Sequence, residues 1–166
     1  MFDTTRAVAN LVVSGTLERY PAVRLLVAHA GGKIPYLHDR ILDRGPILQR
    51  VARTPAPTPE ELVELMEAGL RKARGLLATL FYDTALSANE TVLAALGALV
   101  PASRVLFGTD FPFAQDLGAK LTLDGLGRHR GFTTGERRAI EGDTRALFPR
   151  LDHTPTPAQS TKERVA

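Results

Sequence analysis

Residues 25–36 read LLVAHAGGKIPY. Four apolar residues run into His29, two glycines follow, and Ile34, Leu37, Ile41 and Leu42 then recur at helical spacing. A short, nearly continuous apolar run over 23–29 that closes in glycine predicts a buried strand rather than a helix. Pro35 suits the first turn of the helix predicted over 35–51. A histidine at the end of a buried strand is placed to hold something. Gly31 and Gly32 behind it permit a tight turn or a close approach by a ligand. The pattern lacks the G-x-G-x-x-G spacing of a dinucleotide-binding turn, and two glycines are too sparse for a phosphate loop.

Working outward, the same alternation repeats. Upstream, Val8, Leu11, Val12 and Leu17 predict a helix over 3–19, with Asp3 or Thr4 as N-cap and Pro21 as the stop. Downstream, RTPAPTPEE (53–61) is a stiff proline-rich linker that ends in a helix start, Thr58-Pro59-Glu60-Glu61, for a helix to about residue 74. Residues 80–84 read as a second strand, 89–99 as a helix and 105–110 (VLFGTD) as a third strand. DLGAKLTLDGLGRHRGF (116–132) reads as a looser stretch before a last helix over 134–147. The proline-rich polar tail, 153–166, is expected to be disordered, leaving 1–152 as the folded unit. Alternating strands and helices imply an α/β fold with parallel strands and right-handed crossovers. In such sheets ligand-binding groups gather at the carboxyl ends of the strands. His29, Asp83 and Asp110 all fall there.

Composition narrows the function classes. With 166 residues, 44% hydrophobic and 23% charged, the chain can bury a core as one domain. It has no apolar run long enough for a membrane span, no secretory signal and no cysteine, so cytoplasmic residence and no membrane partner are expected. The net charge of +3 is spread among acids, and the densest basic cluster, Arg128-His129-Arg130, has no aromatic platform beside it. That cluster reads as a solvated loop, and no nucleic-acid partner is expected.

A histidine and a carboxylate at neighbouring strand ends make half of a divalent-metal site, suited to zinc or manganese. The same residues also have bland readings. His29 could simply bond backbone, and an aspartate before Phe-Pro could cap a turn. Asp83 is expected to be structural.

Three stretches together carry a resemblance: HAGGKIPYLHDRI (29–41), FYDTALSANETVLAALGALVPASRVLFGTDFPFA (81–114) and ERRAIEGDTRALFP (136–149). With the opening DTTRAVANLVVSGTLERYPAVRLLVAHAGG, they resemble the amidohydrolase-related family over about residues 3–150. The likeness is to the branch holding aminocarboxymuconate semialdehyde, γ-resorcylate and 6-methylsalicylate decarboxylases. The resemblance implies the C-terminal part of a metal-dependent (β/α)8 TIM barrel, about three parallel strands with flanking helices. It implies a nonoxidative carboxy-lyase acting on a small, aromatic carboxylic acid, with a metal-dependent hydrolase of the same family as the alternative activity. His29 matches the histidine ending the sixth barrel strand, near the metal and the reacting carbon. Asp110, within GTDFP, matches the metal-associated aspartate ending the eighth. Arg40 matches an arginine that reaches a neighbouring subunit's substrate carboxylate in some decarboxylases. The implied roles are catalytic for His29 and Asp110, substrate-binding for Arg40, and metal-ligating for Asp110 and His29. The metal implied is zinc ahead of manganese.

The family's first-strand His-x-His pair and fifth-strand histidine have no counterpart here, since the remaining histidines are His38, His129 and His153. A whole barrel takes about 250 residues. The expectation is therefore an incomplete site, completed by a homo-oligomer or a partner chain, or a catalytically incomplete fragment.

Overall fold

The computed structural model describes residues 2–42, 57–142 and 147–148. Seven helices and three strands alternate among them: α1 (Phe2–Val13), α2 (Thr16–Arg19), β1 (Leu26–Val27), α3 (Ile34–Leu42), α4 (Pro59–Leu77), β2 (Phe81–Asp83), α5 (Glu90–Leu99), β3 (Val105–Leu106), α6 (Gln115–Arg128) and α7 (Thr134–Gly142). The strands form one parallel sheet in the order β1-β2-β3. Val27, Tyr82 and Val105 are register partners on one face of that sheet. They join Leu77, Leu80, Leu93, Leu96, Leu126 and Ile140 in the main core. Each such side chain, fully buried, contributes about 1.5–3 kcal/mol. Phe81 and Leu106, displaced by one residue along their strands, face the other side, where Leu147 packs on them.

Local chemistry explains where the elements start and stop. At α4, Thr58 accepts the Glu61 N–H and Glu61 reaches back to the Thr58 N–H, a complete capping box with Pro59 in the first turn. Asn89 caps α5 by accepting the Val92 N–H at 3.1 Å. On α3, Asp39 takes a forked pair of bonds from Arg74 of α4, at 3.2 and 2.7 Å.

Four expectations need correction. The helix over 3–19 is two helices, because Gly15 adopts φ 71°, a left-handed conformation that ends α1. Neither Asp3 nor Thr4 is an N-cap, since both lie inside α1. The strands are shorter than their apolar runs: β1 pairs only through Leu26 and Val27, and Val23 is exposed. The stretch over 116–132 is mostly helix α6, and α7 is described only to Gly142. Three glycines lower the helix propensity of α6, and tertiary packing overrides that. A β-carbon on Gly125 would stand 1.7 Å from the Ala88 carbonyl oxygen, so only glycine lets α6 lie against the loop after β2. Residues 43–56, which take in the end of the helix predicted over 35–51 and the first part of the linker over 53–61, and the tail over 153–166 lie outside the described residues. Among those described, no helix is long and apolar enough to cross a membrane.

Candidate active site

The site is built at the carboxyl ends of the strands. After Val27 the chain stays extended through Ala28 and then turns left-handed: His29, Ala30 and Gly31 have φ of 56°, 52° and 78°. For histidine and alanine that conformation costs on the order of 1–2 kcal/mol each. Gly31 and Gly32 adopt it without the steric cost. Consecutive non-glycine residues at positive φ persist only where their surroundings hold them.

What holds them is Asp83, the last residue of β2. Its Oδ1 accepts the His29 N–H at 2.8 Å and the Ala85 N–H at 3.0 Å. The Ala85 carbonyl in turn lies 3.0 Å from His29 Nδ1. A carbonyl oxygen can only accept, so Nδ1 is the donor, and in the neutral ring Nε2 then keeps its lone pair. No hydrogen bond engages Nε2 among the described residues. His29 is therefore a half-buried imidazole with one nitrogen anchored and the other available.

The Asp83 carboxyl is raised above the ordinary aspartate range, first by burial. The two backbone N–H bonds and the His29 ring pull it down again, and the charge of Asp110 pushes it up. The carboxylates ending β2 and following β3 thus feel each other. Asp110 is half-buried, and its backbone is also left-handed, at φ 61°. Its carboxylate has no hydrogen bond or ion pair among the described residues. Between the two, a β-carbon on Gly108 would stand 3.0 Å from that of Asp83.

The structure brings His29, Asp83 and Asp110 to one edge of the sheet, as their strand-end positions predict. Arg40 is exposed on α3, and no hydrogen bond or ion pair joins it to those three. No group of three or more His, Cys, Asp or Glu side chains that could hold a metal ion occurs among the described residues. Two donors, His29 and Asp110, fall short of the three or four protein ligands usual for zinc, so the described residues do not by themselves make a metal centre.

Of the other histidines, His38 lies on α3 with 14% of its side chain exposed. Its Nε2 is 2.9 Å from Asp39 Oδ1, but that contact lacks hydrogen-bond geometry. His129 corrects the solvated-loop reading. Arg128 and Arg130 do face solvent, but His129 between them is only 3% exposed and bonds Glu90 through Nδ1 at 2.9 Å. Sequence reasoning also missed Ala85, which acts through its backbone and leaves no residue-type signal.

Comparison with known proteins bears on the family and the fold. The model of the amidohydrolase family (Amidohydro_2) matches residues 2–150. The 6-methylsalicylic acid decarboxylase of Penicillium expansum is 34% identical over 155 residues, covering 91% of this chain and 44% of that protein. The 6-methylsalicylic acid decarboxylase acuB of Aspergillus aculeatus is 31% identical over 165 residues, with the same coverage. The chain thus spans less than half the length of the curated relatives it matches. Among solved structures, apo IDCase of Metarhizium anisopliae is similar with a TM-score of 0.65 at 24% identity, over 92% of this chain and 40% of that one. A dihydroxybenzoic acid decarboxylase from Polaromonas, solved with manganese and an inhibitor, gives 0.65 at 22%, over 90% and 40%. The three-stranded parallel sheet is accordingly part of a TIM-barrel architecture, and by its sequence and its fold the chain belongs to the amidohydrolase family.

Proposed function

We propose that this chain contributes to a metal-dependent nonoxidative decarboxylase acting on a small aromatic carboxylic acid of the salicylate class. The observation that carries the reading is His29, fixed at the carboxyl end of β1 with no hydrogen bond to Nε2 among the described residues, while Asp110, beyond the end of β3, acts on the charge of Asp83 at the end of the strand between them. The names of the Penicillium and Aspergillus relatives support the substrate class. Manganese in the Polaromonas decarboxylase supports a divalent ion, with zinc as the other choice.

Decarboxylation breaks the bond between ring carbon and carboxylate and leaves an electron pair that must take up a proton. His29 is assigned to orient the reacting group and, through the Nε2 lone pair, to take up a proton from solvent and pass it to that carbon. Asp110 is assigned as a metal ligand or as the acid/base partner of His29. Arg40, whose planar fork suits a carboxylate, is assigned to bind substrate in this or a neighbouring protomer.

A second reading has its own support. With no group of three or more possible metal ligands among the described residues, the chain supplies part of a site that a second copy or another chain completes. A metal-dependent hydrolase of the same family remains the alternative chemistry.

One experiment tests all of these: metal bound per chain after reconstitution with zinc or manganese, for the wild type, His29→Ala and Asp110→Ala. Near-stoichiometric metal, lost in both variants, supports the site. Release of carbon dioxide from 6-methylsalicylate would then decide for the lyase over the hydrolase. Wild-type protein that binds no metal at either ion would sink the autonomous site and leave the partial-site reading.

A further inference from the structure

We infer that Asp83 is a positioning residue, whose single oxygen Oδ1 fixes the ring orientation and the Nδ1–H tautomer of His29. The inference rests on the reading of His29 as the working histidine and adds how it is held.

Two amides from distant parts of the chain converge on that oxygen: His29 at 2.8 Å and Ala85 at 3.0 Å. The first fixes the histidine's own backbone, and the second fixes the carbonyl that receives Nδ1–H at 3.0 Å. The hydrogen bonds therefore close a ring: His29 amide to Asp83, Asp83 to Ala85 amide, Ala85 carbonyl back to the His29 imidazole. A carboxylate oxygen accepts both amides with charge-assisted bonds that a neutral side chain makes more weakly.

Asp83 is itself fixed by its surroundings. Its neighbour Thr84 donates its N–H to the Leu106 carbonyl at 3.0 Å and accepts the Gly108 N–H on Oγ1 at 3.3 Å, which pins the end of β2 to the β3 side. Gly108 leaves the carboxylate room that any β-carbon would take, at 3.0 Å from Asp83 Cβ and 3.2 Å from Cγ. The left-handed backbone at His29 and Ala30 needs such a restraint. Among the described residues, the hydrogen bond to the imidazole comes from the Ala85 carbonyl, across the strand ends from the loop after β1. The chain thus uses a carboxylate that does not contact the ring to decide which ring nitrogen faces the site. Second-layer partners set histidine tautomers in this way.

The test is nitrogen-detected NMR of the His29 ring and of the His29 and Ala85 amides. It uses the full chain, stripped of metal, at about pH 8 where an ordinary histidine is neutral. Wild type should show Nδ1 protonated and Nε2 bare. Asp83→Asn keeps an acceptor oxygen and nearly the same volume. It should retain that tautomer while both amide protons move upfield together. Asp83→Ala should lose the single tautomer and give a mixture with Nε2–H. A cooperatively folded Asp83→Ala that keeps the pure Nδ1–H form would overturn the inference, because a merely stabilising aspartate lowers the melting temperature without touching the tautomer. If Asp83→Ala does not fold, Asp83→Asn decides alone: both amides shifting supports the inference, and unmoved amides overturn it. None of these readouts needs metal or substrate, so a failure of the decarboxylase reading is separately visible.

Discussion

Gly31 lies against the ring of Tyr82: a β-carbon at Gly31 would stand 2.9 Å from Cε1 and 3.1 Å from Cδ1. The loop that carries His29 is therefore seated directly on a fully buried residue of the central strand. Gly31→Ala must meet both the left-handed backbone at φ 78° and this contact. Gly15→Ala meets only the first, since at φ 71° its nearest neighbour would be 3.8 Å away. Gly15→Ala should cost about 1–2 kcal/mol. Gly31→Ala should cost a further ~1–3 kcal/mol for overpacking. Urea unfolding of the two variants checks this, and equal midpoints would show that Tyr82 yields freely.

The pH dependence of stability should carry the mark of Asp83. An aspartate in the unfolded chain titrates near about 3.9, and burial raises Asp83 above that in the folded protein. A group whose folded value is raised contributes stability that is complete below the unfolded value and lost as pH rises through the folded one. Wild type should thus weaken relative to Asp83→Asn as pH climbs from about 4, and the difference should level off once Asp83 is ionised. Unfolding midpoints of the pair across that range give the slope. A flat difference, or one of opposite sign, would mean that the hydrogen bonds to Asp83 outweigh its burial.

The strand-end residues were legible in the sequence because they follow short apolar runs that close in turn residues, and that pattern is local. His29, Asp83 and Asp110 needed only the rule that parallel sheets gather function at carboxyl ends. The parts that were not legible depend on contacts distant in sequence. Helix α6 looks loose because Gly118, Gly125 and Gly127 are poor helix formers, and the reason for Gly125 is visible only where it meets Ala88. The Ala85 carbonyl offers no side-chain signal. His129 sits between two exposed arginines, and only the fold turns it inward to Glu90. The short strands are a similar case: hydrophobicity marks what is buried, while pairing requires a partner at the right register.

His129 should be a structural link between α5 and α6. Its ring bonds Glu90 and meets Phe132 edge to face at 4.9 Å between centroids. His129→Ala removes a buried ring and should cost on the order of 3 kcal/mol, as large aromatic truncations do. Glu90→Gln keeps an oxygen for Nδ1 and leaves a 69% exposed position neutral, so it should cost less than about 1 kcal/mol. Chemical denaturation of the two variants separates these outcomes. A costly Glu90→Gln would mean that His129 is held by charge rather than by packing.

Tyr82 offers a last, sharper test of how the central strand is fixed. Its hydroxyl donates to the Leu77 carbonyl at 3.0 Å, inside the core, where burial pushes the phenol far above its ordinary range. That carbonyl belongs to the last turn of α4, past the ordinary helical ladder, and besides the Tyr82 hydroxyl it accepts the Leu80 N–H at 3.2 Å. The bond therefore ties the end of α4 to β2, one residue before Asp83. Tyr82→Phe keeps the ring, and with it the seat of Gly31, and leaves the Leu77 oxygen with the Leu80 N–H alone. The loss should be about 0.5–1.5 kcal/mol, that of one hydrogen bond, read as a lower unfolding midpoint with an unchanged denaturant slope. Hydrogen exchange should quicken at the α4 terminus while the His29 and Ala85 amides, held by Asp83, keep their protection beyond that global loss. Selective deprotection of those two amides would show that the anchoring of His29 runs through Tyr82 as well, and that Asp83 does not act alone.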